Sequence, residues 1–322
     1  MPRPHKRKLC LAGRRIGVFG KGGSGKSTVS VLLAKALRGL GYEVAVLDAD
    51  STNVGLSAAL GLERPPRPLI DYFGGMVFSG GSVTCPVDDP TPLPEADLSL
   101  TRSPEGLVVR GPDGISLLVA GKIGHRGPGA GCDGPIAKIA RDVRIHGNGE
   151  DPVTVVDFKA GFEDSARGVI TGLDWAVVIV DPTLAAVQMA VDTKDMVDQI
   201  RSGALPATRH LDNSLLVDLA HSLYRRSRIR GVLCVLNKIP DEETERFLRA
   251  RLAETGIDPI GVIHHHRSVT TSWLRGRALD VTGAGEEARC VAEKLDATEA
   301  EYERPAAASP APTAFDTRWP RR

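Results

Sequence analysis

The 322-residue chain has room for one large or two ordinary domains, and its 41 Lys and Arg against 40 Asp and Glu leave a formal net charge of +1, so no global field draws in nucleic acid or an anionic membrane. Hydrophobic residues at 42% and charged residues at 25% match soluble globular usage and exclude a fibrous or wholly disordered chain, while 4% aromatics are too few for a platform of stacked rings. Cys10, Cys85, Cys132, Cys234 and Cys290 are an odd set without a C-x-x-C pair, which fits neither a disulfide framework nor a zinc ribbon and points to a reducing, cytoplasmic setting.

Residues 1–13 read as a basic N-terminal extension whose apolar stretch, 9–12, is too short for a signal-peptide core. From there, short apolar runs at 16–19, 44–47, 115–119, 153–156, 176–180, 232–236 and 260–263 predict strands. Most are Val/Ile/Leu-rich without alternation, as strands covered on both faces should be. Helical periodicity is clearest over 26–40, 184–200, 241–255 and 286–302. In the first, Val29, Leu32, Leu33, Ala36, Leu37 and Leu40 keep the spacing of one buried face. The alternation predicts an α/β fold: a doubly wound, mostly parallel sheet in one domain spanning 14–304. Residues 63–112, rich in Pro, Gly and Asp, read as a loop-rich excursion, and 206–230 as a helical insertion with its helix over 213–226. The Pro/Ala-rich tail, 305–322, cannot bury enough apolar surface to order itself, and its prolines prevent a terminal amphipathic membrane anchor. No run approaches the ~18 apolar residues of a membrane-spanning helix.

The strongest chemical signal is Gly20-Lys21-Gly22-Gly23-Ser24-Gly25-Lys26-Ser27-Thr28, between the first strand and the first amphipathic helix. It satisfies G-x-x-x-x-G-K-S/T, in which glycines let successive amide N–H groups and the helix N-terminus point at phosphate oxygens. Lys26 supplies positive charge to the β- and γ-phosphates, and the Ser27 hydroxyl is placed for Mg²⁺. Asp48 and Asp50 close the second strand, and Asp157 closes a later one, where carboxylates face the ligand crevice of a parallel sheet. Asp157 is expected to hold Mg²⁺ and Asp50 to orient the attacking water and share the metal. An aspartate after a strand also caps helices, so Asp48 stays open between the two readings. Gly161 would offer its N–H to the γ-phosphate and move when that phosphate leaves. Asn237, after the strand at 232–236, has an amide that can both donate to and accept from an adenine edge.

With its second lysine, Lys21, the loop resembles the deviant Walker A group of P-loop NTPases (the SIMIBI class), K-G-G-x-G-K-S/T, which includes MinD, ParA and the nitrogenase iron protein. The resemblance implies an ATP-hydrolysing homodimer in which Lys21 reaches the partner's phosphates, with ATP and Mg²⁺ as ligands, and it identifies Asn237 with the base-reading position. The stretch Pro128-Gly129-x-Gly131-Cys132-x-Gly134 is similar to that of the iron proteins, whose cysteine binds an iron–sulfur cluster at the dimer axis. Residues 120–123, with Asp157-x-Lys159-Ala160-Gly161-Phe162-Glu163, more closely resemble the carbon monoxide dehydrogenase maturation ATPases, which carry D-x-E-A-G-x-E and a metal-binding C-x-C. Lys159 replaces the glutamate, and Gly134 stands where the second cysteine would be. The resemblance therefore implies one thiolate per subunit, Cys132, paired across a two-fold dimer, with Asp133, Asp164 or His125 completing four ligands. Zn²⁺ or Ni²⁺ suits that set better than an iron–sulfur cluster, which normally takes four cysteines.

The reading that follows is a dimeric ATPase of metallocentre maturation with a metalloenzyme client. A ParA/MinD-type positioning switch and an iron–sulfur reductase are the alternatives. Two further features remain outside it. His264, His265 and His266 end a strand, where at most two of them share a face. The cations Arg225, Arg226, Arg228 and Arg230 read as a solvated helix end, with nucleic-acid binding as the other reading.

Overall fold

The computed structural model describes residues 8–123, 132–161 and 167–304. The chain opens with β1 (Arg15–Gly20), α1 (Lys26–Gly39) and β2 (Val44–Ala49), then two single-turn helices, α2 (Leu56–Ala59) and α3 (Leu69–Tyr72). Strands β3 (Asp97–Ser99) and β4 (Val109–Arg110) lie in the loop-rich excursion, and β5 (Ser116–Val119) rejoins the sheet. There follow α4 (Gly134–Asp142), β6 (Arg144–His146), β7 (Val153–Phe158), β8 (Trp175–Val180), α5 (Leu184–Arg201) and α6 (Ser214–Arg225). The last elements are β9 (Gly231–Ile239), α7 (Glu242–Ala253), β10 (Pro259–His264), α8 (Arg267–Leu274) and α9 (Ala284–Tyr302).

Eight strands form one sheet in the order β10-β9-β8-β1-β7-β2-β5-β4, parallel except for β4 at the edge. β1, β2, β7 and β8 are buried along their whole length, and successive residues feed two cores on opposite faces. Trp175, Val177 and Ile179 of β8 join α1 and α9, while Ala176, Val178 and Val180 join α4 and α5. This two-sided cover is why the strand sequences are continuously apolar.

All seven strands and four helices read from periodicity are present within a few residues. The helix of the 206–230 insertion is α6, capped by Asn213, whose side chain accepts from the Leu215 N–H. Sequence patterning does not reveal α4, nine residues beginning Gly-Pro, or α8, whose Ser, Val and Thr residues are poor helix formers. Nor does the expected N-terminal extension stand off over its whole length. Leu11 is fully buried, and its N–H donates to the Tyr42 hydroxyl at 3.2 Å, so the residues just before β1 pack on the body. The tail at 305–322 lies outside the described residues. Among the described residues no helix is long and apolar enough to cross a membrane.

Candidate functional site

The glycine loop carries the chain from the C-terminal end of β1 into the first turn of α1. Gly25, just before the helix, has φ of +92°. A Cβ there would stand 2.3 Å from Asn237 Nδ2, so backbone conformation and close approach both require glycine. Lys26 is buried, and its Nζ donates to the Lys21 carbonyl at 3.2 Å. Burial lowers its pKa from the usual lysine value, while the charges of Asp157 and Asp50 act the other way. The Ser24 hydroxyl is buried without a partner among the described residues. A cation whose one hydrogen bond among the described residues goes to a carbonyl, beside a hydroxyl unpartnered among them, is a donor set that suits phosphate.

At the other side of the loop, the Ser27 hydroxyl donates to Asp157 Oδ2 at 2.7 Å and the Ser30 hydroxyl to Oδ1 at 2.8 Å. Asp157 is fully buried. Desolvation lifts its carboxyl to about 6, against the two hydroxyl hydrogen bonds and the charge of Lys26. Ser27 also accepts from Asn53 Nδ2 at 2.7 Å. A hydroxyl and a carboxylate in contact, the carboxylate without a bonded cation among the described residues, match the oxygen ligands that Mg²⁺ takes beside phosphates.

Asp48 and Asp50 do different work. Asp48 is buried, with its carboxyl lifted by desolvation to about 7 despite Lys122, whose Nζ donates to its Oδ2 at 2.7 Å. Lys122 also donates to the carbonyls of Asp50, at 2.6 Å, and of Asn53, which makes it the brace of the loop after β2. Asp50 lies on the pocket, where its Oδ1 accepts from the Thr52 N–H and hydroxyl at 2.9 and 2.7 Å and from the Asn53 N–H at 3.2 Å. Asn53 belongs to no spaced motif and is not picked out by the sequence, and Lys122 lies in the 120–123 stretch without a role assigned to it there.

Gly25, Lys26, Ser27, Asp50 and Asn53 border a pocket of about 480 Å³, within the range of small-molecule sites. Its apolar wall is Leu32, Ile263, Val269 and Trp273, with His264, His265 and His266 along the rim. His264 Nδ1 and His266 Nε2 both meet Glu287, at 2.7 and 2.8 Å, so two of the three histidines are tied to one carboxylate. Asn237 Nδ2 donates to the Ser24 carbonyl at 2.7 Å, which leaves Oδ1 as the unengaged half of the amide. Lys238 Nζ donates to the Gly23 carbonyl at 2.7 Å. Lys21, Gly22 and Gly23 are exposed, and the Gly161 N–H reaches the Gly20 carbonyl at 3.3 Å.

Cys132 is partly buried just before α4, its Sγ accepting from the Gly134 N–H at 3.4 Å. Asp133, between them, is bound by Lys159 Nζ at 2.6 Å and by the Ser51 hydroxyl. It is therefore engaged within the chain by a lysine and a serine. The structure adds a second thiol that sequence spacing does not reveal. Cys85, from the loop-rich excursion, sits with Sγ only 2.8 Å from where a Cβ on Gly134 would lie. Among the described residues no group of three or more His, Cys, Asp or Glu side chains is set to hold a metal. His125 and Asp164, the other expected ligands, lie outside the described residues, as does most of the glycine-rich stretch before Cys132.

Comparison with known proteins gives this arrangement a context. The profile of the CobQ/CobB/MinD/ParA nucleotide binding domain matches residues 18–279. An uncharacterized ATP-binding protein of Methanocaldococcus jannaschii is 32% identical over 188 residues, covering 58% of this chain and 74% of that protein. The carbon monoxide dehydrogenase accessory protein CooC of Rhodospirillum rubrum is 26% identical over 215 residues, covering 62% and 74% respectively. In fold, the chain resembles the MinC:MinD cell division protein complex of Aquifex aeolicus, with a TM-score of 0.53 at 18% identity, over 88% of this chain and 95% of that one. A ParA family ATPase from Chlorobium tepidum TLS gives a TM-score of 0.53 at 14% identity, over 88% and 98%.

Proposed function

The chain belongs to the CobQ/CobB/MinD/ParA nucleotide-binding family, and from that premise we propose that it binds MgATP, pairs with a second copy of itself around the nucleotide, and hydrolyses ATP to drive maturation of a metalloenzyme. Lys26 and the amides of residues 22–28 hold the phosphates, and the Ser24 hydroxyl gains a partner there. Ser27 and Asp157 hold Mg²⁺, which when bound neutralises phosphate charge. Asp50 orients water toward the γ-phosphate, with its backbone position set by Lys122. Asn237 Oδ1 accepts from the exocyclic amine of adenine, with the base against Trp273 and Val269. Exposed Lys21 serves the nucleotide of the partner subunit.

The observation that carries the maturation reading is the double hold on Asp133. Ser51 follows Asp50 in the loop after β2, and Lys159 follows Asp157 in the loop after β7. Both loops border the phosphate site, and both are fastened to the residue next to Cys132. Loss of a phosphate that shifts either loop is thereby felt at the thiol. Cys85 beside Gly134 makes two thiols per chain and four in a two-fold dimer. Cys85 would then supply the second thiolate that the sequence motif lacks. Similarity to the accessory protein CooC supports the same reading.

Anaerobic purification, metal analysis and a visible spectrum, with and without ATP, test it. Near-stoichiometric Zn²⁺ or Ni²⁺, lost in Cys132→Ala, is the expected result. Absence of metal together with ATP-dependent retention on DNA would make the chain a positioning switch of the ParA/MinD kind. A brown iron–sulfur chromophore would make it a reductase.

A further inference from the structure

At the edge of the sheet opposite the nucleotide lies a second pocket of about 410 Å³. It is walled by the starts of β1 and β7, the approach to β8, strand β6 and the segment after α6, all at N-terminal ends of parallel strands or beyond them. Five arginines line it, Arg14, Arg15, Arg144, Arg226 and Arg228, against two carboxylates, Asp151 and Asp174.

The charges do not cancel within the protein. Arg14 turns to Glu299 and Glu303, bonding the first at 2.7 Å. Asp151 is shared with His146, at 3.3 Å, and Asp174 accepts the Arg15 N–H at 2.8 Å with Arg230 Nε 4.0 Å away. Arg15, only 5% exposed, has its two terminal nitrogens on the carbonyls of Ala140, Arg141 and Gly172, and its Nε is buried without a partner. Arg144 caps the end of α4 through Nη1, on the carbonyls of Arg141, Asp142 and Val143 at 2.8–3.2 Å. Arg226 and Arg228 are exposed and make no side-chain bond with the described residues. Four guanidinium groups thus line one pocket, and among the described residues none of them bonds a carboxylate through its side chain. Burial lowers the pKa of both Arg15 and Arg144; the neighbouring Arg144 lowers the first further, while the charges of Asp142 and Asp174 oppose the shift at both and outweigh the effect of Arg228 on the second.

We propose that this pocket is a second ligand site, which binds a small anion carrying two phosphate groups between Arg15, Arg144, Arg226 and Arg228. Guanidinium forks match phosphate oxygens in pairs, and those of Arg226 and Arg228 are unengaged among the described residues, while Arg15 and Arg144, whose Nη1 groups are held on carbonyls, add fixed positive charge. The two deep arginines are held in place by helix-end carbonyls before any ligand arrives, so little side-chain entropy is lost on binding. The enclosed shape favours a small molecule over the backbone of a nucleic acid, which needs an extended stripe of charge. The site does not depend on the metal reading of Cys132.

The test is calorimetric titration of inorganic pyrophosphate into the full chain, loaded with Mg²⁺ and a non-hydrolysable ATP analogue and then freed of excess metal, so that the glycine loop is already filled. One pyrophosphate per chain is expected, with affinity falling at least tenfold in Arg228→Gln and in Arg144→Gln while affinity for the analogue is unchanged. Arg228 lies on the surface, so its variant keeps the fold even where loss of the Arg144 cap does not. No binding to the loaded protein, or equal affinity in Arg228→Gln, would overturn the proposal. So would capture of duplex DNA without pyrophosphate.

Discussion

Ser27 and Asp157 stand 130 positions apart in the chain, yet the serine hydroxyl donates to the aspartate at 2.7 Å across the junction of α1 and β7. The pair joins the glycine loop to a strand end in a site prepared before ligand arrives. Replacing Asp157 by Asn keeps an oxygen acceptor for one serine and removes the charge. ATP hydrolysis should fall about 100-fold or more, with the far-ultraviolet circular dichroism unchanged.

The same carboxylate predicts a pH response. Its folded-state value, about 6, lies above the ordinary 3.8. Between these values the folded protein holds a proton that the unfolded chain has released. Stability of the nucleotide-free protein therefore falls as pH rises through that window, by roughly 2–3 kcal/mol for this group. Asp48, lifted to about 7, continues the decline at higher pH. Melting curves without nucleotide should show a lower Tm at pH 7.5 than at pH 5, with a smaller drop in Asp157→Asn. MgATP affinity should move in the opposite direction, because Mg²⁺ needs the ionised carboxylate.

The two lysines of the glycine loop should separate binding from assembly. Lys26→Ala is expected to abolish ATP binding and hydrolysis, measured by calorimetry and phosphate release. Retained turnover would refute the ATPase assignment. Lys21 is exposed, so Lys21→Ala should bind ATP within a few-fold of wild type yet fail to dimerise with it in light scattering, and its hydrolysis should drop.

Gly25→Ala tests the interlock of the loop with β9. The new methyl would meet the Asn237 amide at 2.3 Å in a left-handed backbone. A stability loss of about 2 kcal/mol is expected, and ATP affinity should fall with it. Denaturant midpoints and nucleotide titration read the two effects.

Trp273 on the pocket wall offers an optical probe. Adding ATP should change the tryptophan emission, and the change should vanish in Trp273→Phe. An undiminished signal in that variant would place the base elsewhere.

Much of this site is legible in the sequence because its parts have local grammar. A strand, six buried residues long, gives a continuous apolar run, and residues 20–28 announce themselves by spacing alone. Asp157 follows from its place at the end of such a run. Cys85, Lys122 and Asn53 reach the site from loops, by contacts spanning up to tens of residues that leave no periodic trace. Helix α8 escapes for a different reason: its residues favour extended backbone individually, and packing of Trp273 and Val269 on the body overrides that preference. Arg15 and Arg144 look like unremarkable surface cations until α4, absent from the sequence pattern, supplies carbonyls that hold them.

The sheet order also bears on how the protein is made. β1 emerges first from the ribosome, but its neighbours are β7 and β8, and β7 also separates it from β2. A nascent chain that has not yet delivered residue 158 leaves both edges of the phosphate-loop strand open, and the second edge waits for residue 180. Until then the unpaired N–H and C=O groups of β1 and β2 are available for wrong pairings. The first half of the chain is therefore expected to need shielding during synthesis, and acquisition of nucleotide to follow translation of β8.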